Sequence, residues 1–561
     1  MKVFDSVAVK KPSMNVFNLS HDVKSSYTFD FLYPFMCRPV YPGDTWNCRA
    51  EVFMRAMPLI APVMHNVDMF FYFFFVPNRL IWNANKKQDW KTFITGGEDG
   101  LANPALPYWT YSQFNTNALG SYTRHGSLID HMGFPSMDWT GSNHPHTSRS
   151  TKVSALPFRA YQLVWNEYFR NQNVQNEIEF DYGAGQVSSS DIANLFTLRK
   201  KCWEKDYFTS CLPWAQRGQA MTLPISGTPV ISGTAPVVVN SIKTAAMTFS
   251  DGLSVAQAGG TGSNAYVSVG VRGVSADTNY GLGDAVQLEG TANLSNGSIT
   301  FTGLSIGTIN DFRYCLRLQQ WLENNARCGS RYIEQLFSHF GVTSSDARLQ
   351  RPELLGGGKV PLIFTDIPQT SSQQTAGDTV LGDLGGKGTL YGKTAGFKKY
   401  FEEHGILLGL CCIIPRTSYS QGIPREWTAF HRTDFYFPEF AHLGEQAVLN
   451  KELYFPIEDQ VSVVQDEAPD DVFGYQGRFT ELRYIPSSVH GEMRKSLAFW
   501  HFGRLFTTIP HLNSSFVEAQ TDPRCFAMLD VSSGEDDPLV CQIHLDVKAV
   551  RPLPKYAIPT L

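Results

Sequence analysis

The chain has 561 residues, with 47 Lys and Arg against 52 Asp and Glu, a formal charge of −5. Charged residues make up 18% and aromatic residues 13%, against about 25% charged in an average soluble domain, so apolar area must be hidden in a large core or against other subunits. This balance excludes a disordered, collagenous or coiled-coil chain and a protein that wraps nucleic acid by bulk positive charge.

At about 150 residues per domain, the length allows three or four domains, or one β-architecture with large insertions. The first 17 residues show neither a continuous apolar core nor a small-residue cleavage site, so no signal peptide is expected. Tyr27, Phe29, Phe31 and Tyr33 alternate with Thr28 and Asp30. From Thr45, the residues Trp46, Cys48, Ala50 and Val52 alternate with Asn47, Arg49 and Glu51. Both patterns predict strands with one wet and one buried face. The longest apolar run, residues 69–76, has eight residues; a spanning helix needs about 20, and no membrane insertion is expected. That run predicts a strand covered on both faces, as does 406–414. Ile543, Leu545, Val547 and Ala549 alternate again near the end. Pro34, Pro77, Pro415, Pro438 and Pro552 follow these runs and mark where pairing stops. Strands so far apart in sequence favour a Greek-key or jelly-roll sandwich whose connections have grown into subdomains.

The helices fall in those connections. Tyr161, Val164, Trp165, Tyr168 and Phe169 have helical spacing, with Gln162, Asn166, Glu167 and Arg170 opposite and Pro157 suited to the first turn. A second stripe runs from Phe312 through Leu316 to Leu322, with Thr308 and Asp311 spaced as a capping pair. Gly329 interrupts it; Tyr332, Ile333, Leu336, Phe337 and Phe340 resume before Gly341. These stripes predict core packing, not a cofactor box. Between the helical patterns, residues 221–308 carry only six charged side chains and four aromatics but 14 glycines. They predict an inserted, Gly-punctuated β excursion with too little bulk for a core of its own.

Signals for chemistry fail on spacing. Gly303-Leu304-Ser305-Ile306-Gly307 matches G-x-S-x-G but lies in the excursion, where no α/β elbow is expected. Gly392-Lys393-Thr394 mimics the end of a phosphate loop, yet Lys387 stands where its first glycine belongs. His125, Asp130, His131, Asp138, His144 and His146 lack ligand spacing and read as loop residues. Asp466, Glu467, Asp470 and Asp471 offer oxygens to a hard cation such as calcium but lack the EF-hand pattern and read as a solvated turn; Glu535-Asp536-Asp537 reads likewise. The ten cysteines form no C-x-x-C pair and read as reduced thiols made in a cytoplasm. Phe397-Lys398-Lys399-Tyr400, and Arg494 and Lys495 with Phe499, Trp500 and Arg504, interleave basic and aromatic groups as a stacking groove would. The simpler alternative is charged heads whose stems lie over an apolar surface. No catalytic residue, metal site or cofactor is expected.

Five blocks then stand in a familiar order: Tyr41-Pro42-Gly43-Asp44-Thr45; Phe73 to Trp82 (FFFVPNRLIW); Leu156 to Tyr161 (LPFRAY) with Trp165 to Arg170 (WNEYFR); Asp434 to Pro438 (DFYFP) with Leu443 to Gln446 (LGEQ); and Phe473 to Gln476 (FGYQ) with Arg483-Tyr484. From about residue 20 to 550 the chain resembles the major capsid protein of the Microviridae, small single-stranded DNA bacteriophages, and among them the gokushovirus-like branch.

The resemblance implies a mainly β fold: an eight-stranded antiparallel jelly roll, the viral capsid β-sandwich, with long inter-strand insertions containing helices. Its parts would be a first core segment, 1–220, the surface insertion, 221–308, and a second core segment, 309–561. It implies a homo-oligomer of sixty copies, assembled from pentamers in a bacterial cytoplasm, closing a T=1 icosahedral virion shell around circular single-stranded DNA. Sixty subunits at −5 carry on the order of 300 negative charges, and each nucleotide adds about one more. The shell therefore cannot neutralise its genome in bulk. A separate small basic DNA-binding virion protein is expected, with local contacts from Lys10, Lys11, Arg494, Lys495, Trp500 and Arg504. The insertion is expected at three-fold protrusions that engage a host surface receptor. A β-sandwich adhesin or glycan-binding module is the alternative; it would normally carry a secretion signal. A carbohydrate-active enzyme would need paired carboxylates in a cleft, and none can be assigned.

Overall fold

The computed structural model describes residues 13–83, 88–114, 117–136, 149–218, 308–329, 331–370, 382–455, 470–526 and 537–556, and four two-residue strands between 225 and 306. Two compact units divide the chain: Met1–Ala220 with Gln319–Leu561, and Met221–Leu318.

The larger unit is built on one curled antiparallel sheet of ten strands. In chain order they are β1 (Asn15–Asn18), β2 (His21–Tyr27), β3 (Tyr33–Val40), β4 (Thr45–Ala56), β5 (Val67–Pro77), β6 (Glu353–Pro368), β7 (Leu384–Lys393), β8 (Phe397–Tyr400), β9 (Gly405–Pro415) and β10 (Leu539–Arg551). The order across the sheet is β1-β10-β4-β7-β6-β5-β9-β3, with β2 also on β10 and β8 also on β4. The 16-residue β6 turns the corner. Its first part pairs with β5 and its last six residues with β7, so the sheet folds into a front leaf (β1, β2, β10, β4, β8, β7) and a back leaf (the start of β6, β5, β9, β3). Gly357 makes that corner strand possible, because a Cβ there would stand 2.4 Å from the Phe71 carbonyl oxygen. The arrangement fits the capsid jelly roll that the sequence implies, with ten strands in the sheet where eight were expected.

The two hydropathy patterns separate the two leaves. Trp46, Cys48, Ala50 and Val52 of β4, and Ile543, Leu545, Val547 and Ala549 of β10, are all buried against Phe71, Phe73, Phe75, Leu407, Cys411 and Ile413 of the back leaf. The alternate residues of β4 and β10 face away. The back leaf is covered twice: Phe74, Val76, Ile406, Leu408, Cys412 and Ile414 pack into a second core under the helical connection. Burial of each such side chain contributes about 1.5–3 kcal/mol, so a strand between two cores is apolar on both faces.

The helical connection centres on α1 (Leu156–Val164), with Pro157 in its first turn, continued by a π-turn at Trp165–Phe169. Its expected wet face is partly interior. Gln162 is buried and donates to the carbonyls of Leu195 and Thr197; Asn166 is buried and bridges the Ile178 backbone. These amides satisfy loop backbone that wraps the helix, a role that polarity alone does not announce.

Three further expectations change. Residues 27–33 are not one strand: β2 ends at Tyr27 and β3 begins at Tyr33, and between them Asp30 takes φ +76° as the chain passes from front leaf to back. Pro34 lies inside β3, where it is tolerated because β3 is an edge strand. Helices α2 (Ile309–Cys328) and α3 (Tyr332–Phe340) form where the spacing predicts, with Thr308 and Asp311 capping reciprocally and Gly341 closing α3. Their apolar stripes, however, are largely open: Phe312, Leu316, Trp321, Tyr332, Phe337 and Phe340 are all exposed.

In the smaller unit, Ile225–Ser226 pairs with Ser305–Ile306, and Val230–Ile231 with Ile299–Thr300, both antiparallel. The outgoing and returning ends of the excursion thus pair with each other at two places. Ser305 sits within that ladder opposite Ser226, not at an elbow between a parallel strand and a helix; Gly303, Leu304 and Gly307 lie outside the described residues.

Candidate interaction surfaces

The front leaf presents its second face outward, and the strand registers align its side chains in rows. Lys24, Gln542, Phe53 and Tyr391 share one row; Asp22, His544, Glu51 and Lys393 share the next. Beyond Asp546 and Arg49 comes a row of Asn18, Lys548, Asn47 and Lys398, then Val16, Val550, Thr45 and Tyr400. On the other side of Phe53 stand Ser26, Val540, Arg55 and Thr389. Neighbouring strands are tied across this face: Lys393 pairs with Glu51 at 2.6 Å, and His544 Nδ1 hydrogen-bonds Asp22 at 2.6 Å. Ser26 donates to Asp537 at the rim at 2.5 Å. The Arg55 guanidinium lies 5.2 Å from the Phe53 ring centre, and Phe53, Tyr391 and Tyr400 are 41%, 69% and 56% exposed.

A second open surface is apolar. Trp427, Phe430, Phe435, Tyr436 and Leu443 are exposed along 427–443, a stretch of short 3₁₀ turns. Large apolar residues exposed within one short stretch, and the open stripe on α3, offer surfaces for neighbouring subunits to cover.

The basic and aromatic residues singled out in the sequence go to different places. Lys10 and Lys11 lie outside the described residues. Arg494 and Lys495 are exposed, and Arg494 is tied by its Nε to the Val489 carbonyl at 2.8 Å. Trp500 is half-buried, its carbonyl accepting from the Met64 amide. Arg504 is a clasp: its guanidinium lies 4.1 Å from the Phe516 ring centre and 5.3 Å from that of Trp203, and it donates to the Phe516 carbonyl at 2.9 Å. Arg494 and Arg504 line separate depressions. Of the segment 397–400, Phe397 is core and Lys399 pairs with Glu353, while Lys398 and Tyr400 join the outer face of the front leaf.

The ionisable clusters are engaged by the fold. Asp44 accepts from Trp46 Nε1 and from Arg551 Nε at 3.1 Å, which fastens the end of β10 to the 41–45 turn; the first of the five sequence blocks is this turn. Asp206 accepts from Thr417 and Tyr419, both at 2.6 Å. Glu452 accepts from Arg425 and Tyr207, and burial raises its carboxyl above the usual range. Asp470 pairs with Lys451 at 2.6 Å, and the Asp471 carbonyl accepts from Asn450; Asp466 and Glu467 lie outside the described residues. His125 bonds Ser136, whereas His131 turns inward onto Tyr27 and Tyr33; Asp138, His144 and His146 are outside the described residues. Among the described residues, no three His, Cys, Asp or Glu gather as a metal site would require. All ten cysteines are free.

Phe53, Arg55, Tyr391 and Lys393 were missed as surface residues by sequence reasoning. The signal was present: an aromatic sits on the wet side of an alternating strand in Glu51-Val52-Phe53-Met54-Arg55, and Tyr391 and Lys393 keep the same phase in β7.

A curled β sheet with large open apolar and charged faces defines a structural subunit made to associate. The whole chain from residue 6 to 561 matches the family model described as "Capsid protein (F protein)", and the chain belongs to that family. It is 35% identical to capsid protein VP1 of Bdellovibrio phage phiMH2K, over 97% of this chain and 94% of that one. Against capsid protein VP1 of Chlamydia phage 1 the identity is 33%, over 100% and 97%; against that of Spiroplasma virus 4 it is 29%, over 97% and 94%. The chain is thus a phage capsid protein of the gokushovirus-like branch, a component of the virion with a structural and not an enzymatic role. Among the described residues no helix is long and apolar enough to cross a membrane.

Proposed function

We propose that sixty copies of this chain close a T=1 icosahedral shell around a circular single-stranded DNA genome, with pentamers as the assembly unit. The observation that carries this reading is the match of the capsid family along the entire chain, joined to the open aromatic stretch 427–443 and the stripe on α3, which need neighbours. Burying them at about 25 cal/mol per Å² supplies a driving force for assembly that is mainly hydrophobic.

The insertion, residues 221–308, stands outside the shell at the three-fold axes and contributes to host attachment; its near absence of charge suits packing among three copies. The excess of acidic residues leaves bulk neutralisation of the genome to a separate small basic protein. Native mass spectrometry of purified particles tests this: sixty copies of a 62.7 kDa chain with a nuclease-sensitive single-stranded DNA are expected. Another stoichiometry, or particles that contain double-stranded DNA, would refute it.

A further inference from the structure

We infer that the outer face of the front leaf is a binding platform for single-stranded DNA. The inference rests on the proposal that the shell encloses such a genome. Charge is the first observation. The rows of this face carry Lys24, Arg49, Arg55, Lys393, Lys398 and Lys548 against Asp22, Glu51 and Asp546, with Asp537 at the rim, a cationic excess on a chain whose total is −5. Two of the carboxylates are already engaged, Glu51 by Lys393 and Asp22 by His544. Among the described residues, Lys24, Lys398 and Lys548 have no side-chain partner within the chain. These ammonium groups are available to phosphates, and phosphate contacts supply most of the affinity of non-specific binding.

The second observation is aromatic. Phe53 and Tyr391 are direct cross-strand partners, which places their Cβ atoms about 5 Å apart, and both rings stand open. An aromatic on the wet face of a sheet exposes apolar area that the fold does not use. Two open aromatic side chains on neighbouring strands, with Lys24 beyond Gln542 in their own row and Arg55 in the next, form a surface on which bases stack while cations track the backbone. Tyr400 and Lys398 extend the same chemistry toward the far end of the leaf. The face is rigid, because every inward residue of β4 and β10 is locked in the core. Stacking needs only the π-face that all bases share, so the platform reads no sequence, as a shell lining an entire genome requires.

The test uses the full chain and a fluorescein-labelled oligothymidylate, with anisotropy read at two or more salt concentrations. Wild type is expected to bind with affinity that falls steeply as salt rises. The double variant Phe53→Ala/Tyr391→Ala should weaken binding by about ten-fold or more, and Arg55→Gln/Lys398→Gln should flatten the salt slope by about two phosphates. All four side chains are exposed, and an unchanged melting temperature checks that the variants fold. Wild-type binding with both variants indistinguishable from it would overturn the platform and leave the genome reading standing. Loss of subunit assembly in the variants with oligonucleotide affinity intact would also overturn it, assigning the face to a second copy of the chain. A wild-type chain that binds no oligonucleotide, in particles that contain no single-stranded DNA, would instead remove the reading on which the inference rests.

Discussion

Asp30 and Thr521 stand 491 positions apart and meet in two hydrogen bonds of 2.6 Å, the Thr521 amide donating to one carboxylate oxygen of Asp30 and its hydroxyl to the other. Asp30 is buried, and its own amide donates to the Ile413 carbonyl. The left-handed residue between the two leaves is therefore held from both ends of the chain. Asp30→Ala should lower the stability of the isolated subunit by about 3 kcal/mol, because the part-buried Thr521 amide and hydroxyl lose their acceptor and Ala lacks the short polar side chain that eases Asp into positive φ. Thr521→Val should cost about 1–2 kcal/mol, because the carboxylate loses a partner. A urea-denaturation cycle of the two single variants and the double checks this; strict additivity would contradict the contact, since coupling of about 1–2 kcal/mol is expected.

His65 contributes most clearly to the pH dependence, alongside His131 and His501, whose pKa values burial also lowers. Burial lowers its pKa to about 4, helped by the nearby His501 and Arg524, while its ring bonds the Arg416 carbonyl at 2.6 Å. The folded state holds it neutral, so its contribution is fully present above the unfolded value of 6.5 and is lost as pH falls from 6.5 toward 4. The subunit should lose about 1–3 kcal/mol across that interval from this residue. His65→Gln, which keeps a donor for Arg416, should flatten the difference while staying close to wild type at about pH 7.5, where the imidazole is neutral in both states. Parallel stability-against-pH curves for the two proteins would contradict the assignment.

The adjacent cysteines of β9 belong to different cores, Cys411 facing the front leaf and Cys412 the helical layer. Burial raises both thiols, and pushes those of Cys48, Cys525 and Cys541 up to about 12. Thiolate is the reactive form. Iodoacetamide on the native chain at about pH 8, near the ordinary thiol pKa, should therefore label Cys315 and Cys328 first, both half-exposed, and reach the six buried thiols, these five and Cys211, only on unfolding. Mass-spectrometric mapping decides; native labelling of Cys411 or Cys412 would contradict the packing.

Much of this fold is legible in the sequence. Alternation in 45–52 and 543–549 marks strands with one open face, and unbroken apolarity in 69–76 and 406–414 marks strands between two cores, because each face of a strand reports what covers it. The break at Asp30 is not legible: one left-handed residue leaves the alternation intact, and its partner is Thr521. The stripes of α2 and α3 read as core because spacing reports an apolar face without saying whether its cover is this chain or another. Gln162 and Asn166 read as solvated because a polar side chain satisfying buried backbone has the same composition as one facing water. The groups at 494–504 interleave in sequence as a stacking groove would, but Arg504 follows the simpler reading, its guanidinium lying over the Phe516 ring; Phe53 and Tyr391 are not legible as neighbours because they come from two strands far apart in the chain.

The insertion should be separable. Replacing residues 232–298 with a short Gly-Ser linker retains both antiparallel pairings and leaves the ten-stranded sheet untouched. Longer or shorter loops change closure entropy by only about 0.6 kcal/mol per doubling, so the shortened chain should melt within a few degrees of wild type and still assemble, with loss of host adsorption. A shortened chain that fails to fold would contradict the placement of this segment outside the subunit core.

The central claim, that this chain is a shell-forming subunit, is tested most directly by sedimentation and electron microscopy of the purified protein, alone and with single-stranded DNA and the small basic protein. Closed particles of uniform size, or pentamers that convert to them, are the predicted result. A monomer that remains monomeric under all of these conditions would contradict it.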